Sequence, residues 1–236
     1  MKAPAQELAL TARRYGPMMG ALLALYLLTA IATGSYLKHH GALSAQLSGH
    51  LEDAIRSKGI LPQDAPRSPN AAVNAGAAET PHGDRAGYKE TIRGLGHAGT
   101  LGVALRIFKN NAIAVVAILV FSLVPFVYFP VIAILTNGVA LGIVMADRMH
   151  GAGWLSPFLR SLLPHGVTEL TAIFLAASLG IALCTGMTRR VLRLPPKEPI
   201  DLRERAARVL RPFVLLVLPL LLVSAFIEAF VTPRLF

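Results

Sequence analysis

Apolar residues dominate four stretches of the chain: Pro17 to Leu37, Asn111 to Ala146, Gly166 to Met187 and Pro212 to Val231. A helix needs about 20 residues to cross a hydrocarbon core of about 30 Å, so each stretch is long enough to span a bilayer. The second is long enough for two passes, and Pro125 and Pro130 interrupt it around Tyr128. A proline inside a helix removes a backbone donor and clashes with the preceding turn. The pattern therefore predicts short helices over Asn111 to Val127 and Pro130 to Ala146, joined by a tight turn. They either cross fully or form a re-entrant hairpin, and both arrangements return the chain to the side it left. The expected fold is all-α: a polytopic transmembrane bundle of five membrane helices, or four plus a re-entrant hairpin, with amphipathic interfacial helices.

Between the first two stretches the pattern changes three times. Leu43, Leu47, Leu51 and Ile55 recur every four residues, which predicts a docking or surface-lying helix with one apolar stripe. Pro62 to Gly87 is rich in Ala, Pro, Gly, Asn and Asp with almost no large apolar residue, the composition of a mobile loop. From Tyr88 onward, Ile92, Leu95, Leu101, Leu105 and Phe108 predict an amphipathic approach helix at the interface. The organisation is thus a flank at 1–16, an anchor at 17–37, an external segment at 38–110 and a helical membrane domain at 111–236 with a basic segment at 188–211.

Composition agrees: 54% of the 236 residues are hydrophobic and only 15% charged, more apolar surface than a soluble domain of this size buries. The net charge of +10 is concentrated at the edges of the apolar stretches, which favours topology and anionic lipid over nucleic acid as its cause. Between residues 188 and 211 lie Arg189, Arg190, Arg193, Lys197, Arg203, Arg205, Arg208 and Arg211. Because cytoplasmic loops are enriched in Lys and Arg, that face is expected inside, together with the flank bearing Lys2, Arg13 and Arg14. The C-terminus is then external. Arg203, Arg205 and Arg208 are expected to contact anionic lipid or an acidic partner along a short helix lying on the membrane. Ala30-Ile31-Ala32 has the form of a signal cleavage site, but the apolar run is long for a signal peptide and reads as an uncleaved anchor.

Several apparent motifs lack the context their chemistry needs. Gly94-Leu95-Gly96-His97-Ala98-Gly99 fits the dinucleotide string, yet no strand precedes it. His39, His40 and His50 lack the cysteines or carboxylates of a metal shell, Cys184 has no partner for a disulfide, and no G-x-S-x-G elbow occurs. No catalytic residue, cofactor or metal site is expected.

The polar residues inside the apolar stretches are more informative. Glu169 and Glu228 stand in segments that would lie in hydrocarbon, where a carboxylate costs about 2.5–3.5 kcal/mol on insertion scales, so each is expected to face a partner or a cavity. His165 shares a helix face with Glu169, and Ser224, Glu228 and Thr232 share another. If the fourth helix starts at Gly166, both glutamates and Asn111 lie about 6 Å below the external interface. Asn111, Asn137, His165, Glu169 and Glu228 are therefore the candidate intramembrane polar site. Ala172, Ala176, Gly180 and Cys184 form one small-residue seam, and Gly138 and Gly142 a second.

These residues also carry a resemblance. Asn110-Asn111 at a helix start, Thr136-Asn137-Gly138 with Leu141-Gly142, Leu163-Pro164-His165-Gly166 followed by Glu169-Leu170 and Ala172, and Ile227-Glu228-Ala229-Phe230 with Thr232-Pro233 together resemble the stage II sporulation protein M family of multi-pass bacterial membrane proteins. The resemblance covers most of residues 105–236. It implies a membrane scaffold, since the founding member organises a peptidoglycan-degrading engulfment complex, and relatives occur in bacteria that never sporulate. Two readings follow. One is a non-enzymatic scaffold or subunit of a cell-envelope complex, contacting other membrane or envelope proteins and compatible with a homo-oligomer. The other is a permease or channel subunit whose basic segment docks a cytoplasmic ATPase.

Overall fold

A computed structural model describes residues 4–57, 97–149, 153–195 and 202–232. The Pro62 to Gly87 loop and the start of the approach segment at Tyr88 lie outside the described residues. Five helices are long and apolar enough to cross a membrane: Ala9–Lys38, Thr100–Phe121, Phe129–Arg148, Leu162–Val191 and Ala207–Val231. No strand occurs among the described residues. The elements are α1 (Pro4–Lys38), α2 (Gly41–Ser57), α3 (His97–Phe121), α4 (Phe129–Arg148), α5 (Leu155–Val191), α6 (Leu202–Pro212), a π-helical segment (Phe213–Val217), α7 (Leu218–Phe226) and a second π-helical segment (Ile227–Val231).

The directions of the helices follow from their contacts. A Cβ on Gly138 would lie 2.9 Å from the Tyr26 carbonyl, and one on Gly142 2.7 Å from the Ala30 carbonyl, so numbers rise together and α1 runs parallel to α4. The Asn111–Glu169 and Phe126–Thr188 contacts rise together in the same way, so the path through α3 and its C-terminal turn runs parallel to α5. Glycine is required at 138 and 142 because α1 approaches them backbone to backbone, the small-residue packing on which membrane helices rely. Helix α5 is the central element. Half of its apolar window is buried, against a third or less in the other four spans. Its seam explains why: Ala172, Ala176 and Cys184 are fully buried, and a Cβ on Gly180 would collide with Pro130 and Ser122.

Outside this bundle, α2 docks as its stripe predicts. Leu47 and Leu51 pack on Leu37, Ile143 and Ala146, while Leu43 stays exposed.

Three boundaries differ from expectation. Among the described residues helix α3 runs from His97, so Leu101, Leu105 and Phe108 belong to the membrane helix itself and Asn111 lies inside it, not at its end. The α3–α4 connection is a seven-residue segment, with Phe126 and Tyr128 at φ 69° and 44°. The Phe126 N–H is held by the Thr188 hydroxyl at 3.0 Å. The basic segment is not a separate surface helix. Helix α5 runs on to Val191, and α6 continues into the last span with helical backbone at Pro212. Pro212 itself has helical backbone, with φ −60° and ψ −33°, where α6 joins the π-helical segment. On α6, Val209 is buried with Tyr15 and Phe213, Leu210 is exposed, and Arg208 pairs with Glu204 at 2.7 Å. The side chains of Arg203 and Arg205 lie outside the described residues.

The α1–α4 seam sets a test. Gly142→Ala places a methyl 2.6 Å from Thr33 Cβ and is expected to destabilise the protein by about 1–3 kcal/mol through overpacking. Gly20→Ala meets nothing within 4 Å and is expected to be neutral or to stabilise by up to about 1 kcal/mol. Equilibrium unfolding in detergent reads the difference, and equal effects at both sites would contradict the close packing.

Candidate functional site

Two features of the last span decide where its polar groups point. Pro219 has no N–H and crowds the carbonyl one turn back, and the backbone answers by widening: the Leu218 N–H reaches the Phe213 carbonyl, five residues away. The same device recurs at Ile227–Val231, where the Thr232 N–H reaches the Ile227 carbonyl. Each π-helical segment ends two residues before a proline, Pro219 and Pro233 respectively. Such segments shift every following side chain around the helix and concentrate at functional sites. Glu228 lies within the second one.

Opposite it on α5, Pro164 stands inside the helix, followed at once by His165 and one turn later by Glu169. One ligand atom each from His165, Glu169 and Glu228 lies within 4.8 Å of the others, and all three residues are half-buried. Asn111 on α3 completes the group, donating from Nδ2 to Glu169 Oε1 at 2.8 Å. The framework around His165 is also polar. Its carbonyl accepts from the Ser224 hydroxyl at 3.1 Å and the Thr168 hydroxyl at 2.9 Å, and its Nδ1 lies 3.4 Å from Thr232 Oγ1. Tyr26, buried edge-on against Phe174, brings α1 within electrostatic reach of Glu169.

Four of the five candidate residues thus converge: Asn111, His165, Glu169 and Glu228. Asn137 does not. It is exposed, and its Nδ2 donates at 2.8 Å to the Ala133 carbonyl of its own helix. The sequence places it beside Gly138, but the glycine seam faces α1, and the neighbouring position turns outward. Depth also differs from expectation. Because α5 begins at Leu155, eleven residues before Gly166, Glu169 lies about 20 Å along its helix and about 10 Å inside the apolar window that starts at Leu162. Tyr26 is the participant sequence reasoning missed. No polar periodicity in α1 singles it out, and only the α1–α5 packing brings it close.

Electrostatics decide what the cluster can do. Among the described residues neither Glu169 nor Glu228 forms an ion pair, and Glu228 has no hydrogen-bond partner. A hydrogen bond between membrane helices is worth about 0.6 kcal/mol on average and about 1.7 at most, less than the insertion cost of a single carboxylate. One asparagine therefore does not offset two carboxylates. The arrangement calls for positive charge or further donors. The group is also closed on one side. Val115, Ala172, Ala176, Leu179, Val217 and Leu221 follow it along the same helices toward the Val191 end, all fully buried.

The fold and site together define a multi-pass, all-helical membrane protein with a one-sided polar cluster in its core. The chain belongs to the stage II sporulation protein M family, which it matches over residues 18–233. No curated protein and no solved structure matches it.

The Asn111–Glu169 bond is open to a double-mutant cycle. Asn111→Ala, Glu169→Ala and the double variant are expected to yield a coupling of about 0.6–1.7 kcal/mol in detergent unfolding. Asn137→Ala combined with Glu169→Ala is expected to be additive, and no measurable coupling in the first cycle would disprove the contact.

Proposed function

We propose that the chain is a non-enzymatic scaffold: a membrane subunit that assembles partners of a cell-envelope complex. The observation that carries this reading is the closed end of the polar cluster. A permease needs a polar path that reaches both faces, at least in alternation, and the fully buried Ala172, Ala176 and Leu179 on α5, packed with Val217 and Leu221 on the last span, argue against one within a single chain. Hydrolysis is disfavoured as well. The Thr232 hydroxyl, the group nearest His165 Nδ1, also reaches the Ile227 carbonyl at 3.3 Å, and the Ser224 hydroxyl is bonded to the His165 carbonyl. Neither is held ready as a nucleophile.

In this reading the family relationship supplies the scaffold precedent, and the partners are other membrane or envelope proteins. The basic end carrying Arg189, Arg190, Arg208 and Arg211 faces the cytoplasm and anionic lipid, following the enrichment of cytoplasmic flanks in arginine. The N-terminus is then cytoplasmic and the C-terminus external.

Purification from native membranes tests the assignment. The expected result is recovery of wall-remodelling or other envelope proteins, unaffected by nucleotide. Stoichiometric recovery of a cytoplasmic ATPase, with nucleotide-driven solute movement in proteoliposomes, would replace the scaffold by the permease subunit. For orientation, Arg193→Cys in a Cys184→Ser background is expected to react with an impermeant maleimide only from the cytoplasmic side, because Arg193 is exposed beyond the end of α5 while Cys184 is buried. Labelling from outside would invert the topology.

A further inference from the structure

The scaffold reading makes no use of the three titratable side chains gathered between α5 and the last span. We propose that His165, Glu169 and Glu228 form a binding site for a divalent transition-metal cation of the zinc(II) type, with water completing its shell. One imidazole nitrogen and two carboxylate oxygens are the donors that borderline cations take, whereas calcium and magnesium prefer all-oxygen shells. Two ionised carboxylates and a neutral imidazole carry a formal charge of −2, which a divalent ion cancels in surroundings that supply no lysine or arginine partner among the described residues.

The dimensions are close to a coordination sphere. Donor atoms around a tetrahedral zinc with bonds of about 2.0–2.1 Å sit about 3.4 Å apart, so donors already within 4.8 Å need to close by about 1.5 Å at most. Two flexible glutamate side chains, one of them on a π-helical turn, supply that adjustment. Outer partners are in place too. Asn111 Nδ2 fixes Glu169 Oε1 and leaves the second oxygen for the ion. The Thr232 hydroxyl lies 3.3 Å from the Ile227 carbonyl and 3.4 Å from His165 Nδ1; with its hydrogen on that carbonyl its oxygen can accept from Nδ1–H, the tautomer that leaves the Nε2 lone pair for the ion. Hydrogen-bond partners behind the ligands orient the donors of a metal site, and His165 and Glu169 have them here while Glu228 is left free to adjust. All three side chains are half-buried, so the donors are not sealed inside the core.

The test uses the full chain in lipid nanodiscs, stripped with chelator and titrated with zinc chloride against a chromophoric competitor. The expected result is one tight site per chain, with X-ray absorption reporting nitrogen and oxygen neighbours and no sulfur. His165→Gln and Glu228→Gln are each expected to weaken it at least tenfold, and Asn111→Ala about tenfold through loss of the outer partner. The triple variant His39→Gln, His40→Gln, His50→Gln is expected to retain it. Thermal unfolding without metal identifies any variant that fails to fold, and the absorption spectrum of the unaltered protein tests the site without any variant. No tight site, a spectrum with sulfur neighbours, or a site lost only in the His39, His40, His50 variant would overturn the proposal. Each of those results leaves the scaffold reading untouched, because that reading stands or falls on partner recovery.

Discussion

Two carboxylates inside an apolar bundle are the constraint around which the rest of the molecule is arranged. A bilayer supplies no hydrogen-bond partners, so a polar group in a spanning helix is satisfied by another part of the protein or by water that reaches it. Glu169 and Glu228 lie on different helices, and the chain meets their requirement by bringing α3, α5 and the last span together at one level. Asn111 supplies a donor, Ser224 and Thr168 share the His165 carbonyl, and Thr232 contacts the imidazole. The direction of each of these helices is fixed by that meeting. Helix α3 runs parallel to α5 because Asn111 must reach Glu169 at one level and Phe126 must reach Thr188 at the other.

The two halves of the bundle solve the packing problem differently. Between α1 and α4 the surfaces are small and close, with carbonyls of α1 lying where a Cβ of Gly138 or Gly142 would be. Such an interface has no slack. The last span is instead large-residued and carries two widened turns, each preceding a proline. Pro219 does not break the helix, because the i→i+5 bond just before it shifts the backbone register. The cost of that irregularity falls where Glu228 needs its own orientation, so the local departure from α-helix and the polar site share a cause in sequence.

Much of this was legible from the chain. Five apolar passes, the α2 stripe, the two small-residue seams and the convergence of Asn111, His165, Glu169 and Glu228 all follow from periodicity and from the expense of polar groups in hydrocarbon. What was not legible has physical reasons. Helix α3 extends upstream through Arg106 and Lys109, because charges near the end of a span do not terminate a helix that continues into solvent. Helix α5 likewise passes through Pro164 to start at Leu155, so the proline that looks like a helix start in the sequence lies inside the helix. Both extensions moved the site deeper than counting from the apolar edge suggested. Asn137 failed for a different reason. A single asparagine beside a glycine seam is one position, about 100°, from the buried face, and its own helix already offers the Ala133 carbonyl as a partner.

Asn137 and Asn111 therefore mark the boundary between a polar residue that is tolerated and one that organises structure. Both are neutral, both lie within spans, and each has a hydrogen bond of 2.8 Å. The difference is the acceptor. A carbonyl on the same helix ties Asn137 to nothing beyond one turn, so the residue adds no tertiary information. A carboxylate 58 positions away ties Asn111 to another helix and fixes the relative height of two spans. That same carboxylate stands against Glu228 across the second π-helical turn, so height on α3, height on α5 and rotation of the last span are set together. A region in which three helices constrain one another through polar contacts, above a core of fully buried alanine, valine and leucine, cannot shift one helix without disturbing the other two. That coupling is compatible with the assembly role proposed above, whereas a conducting path would need the apolar core beneath the cluster to open.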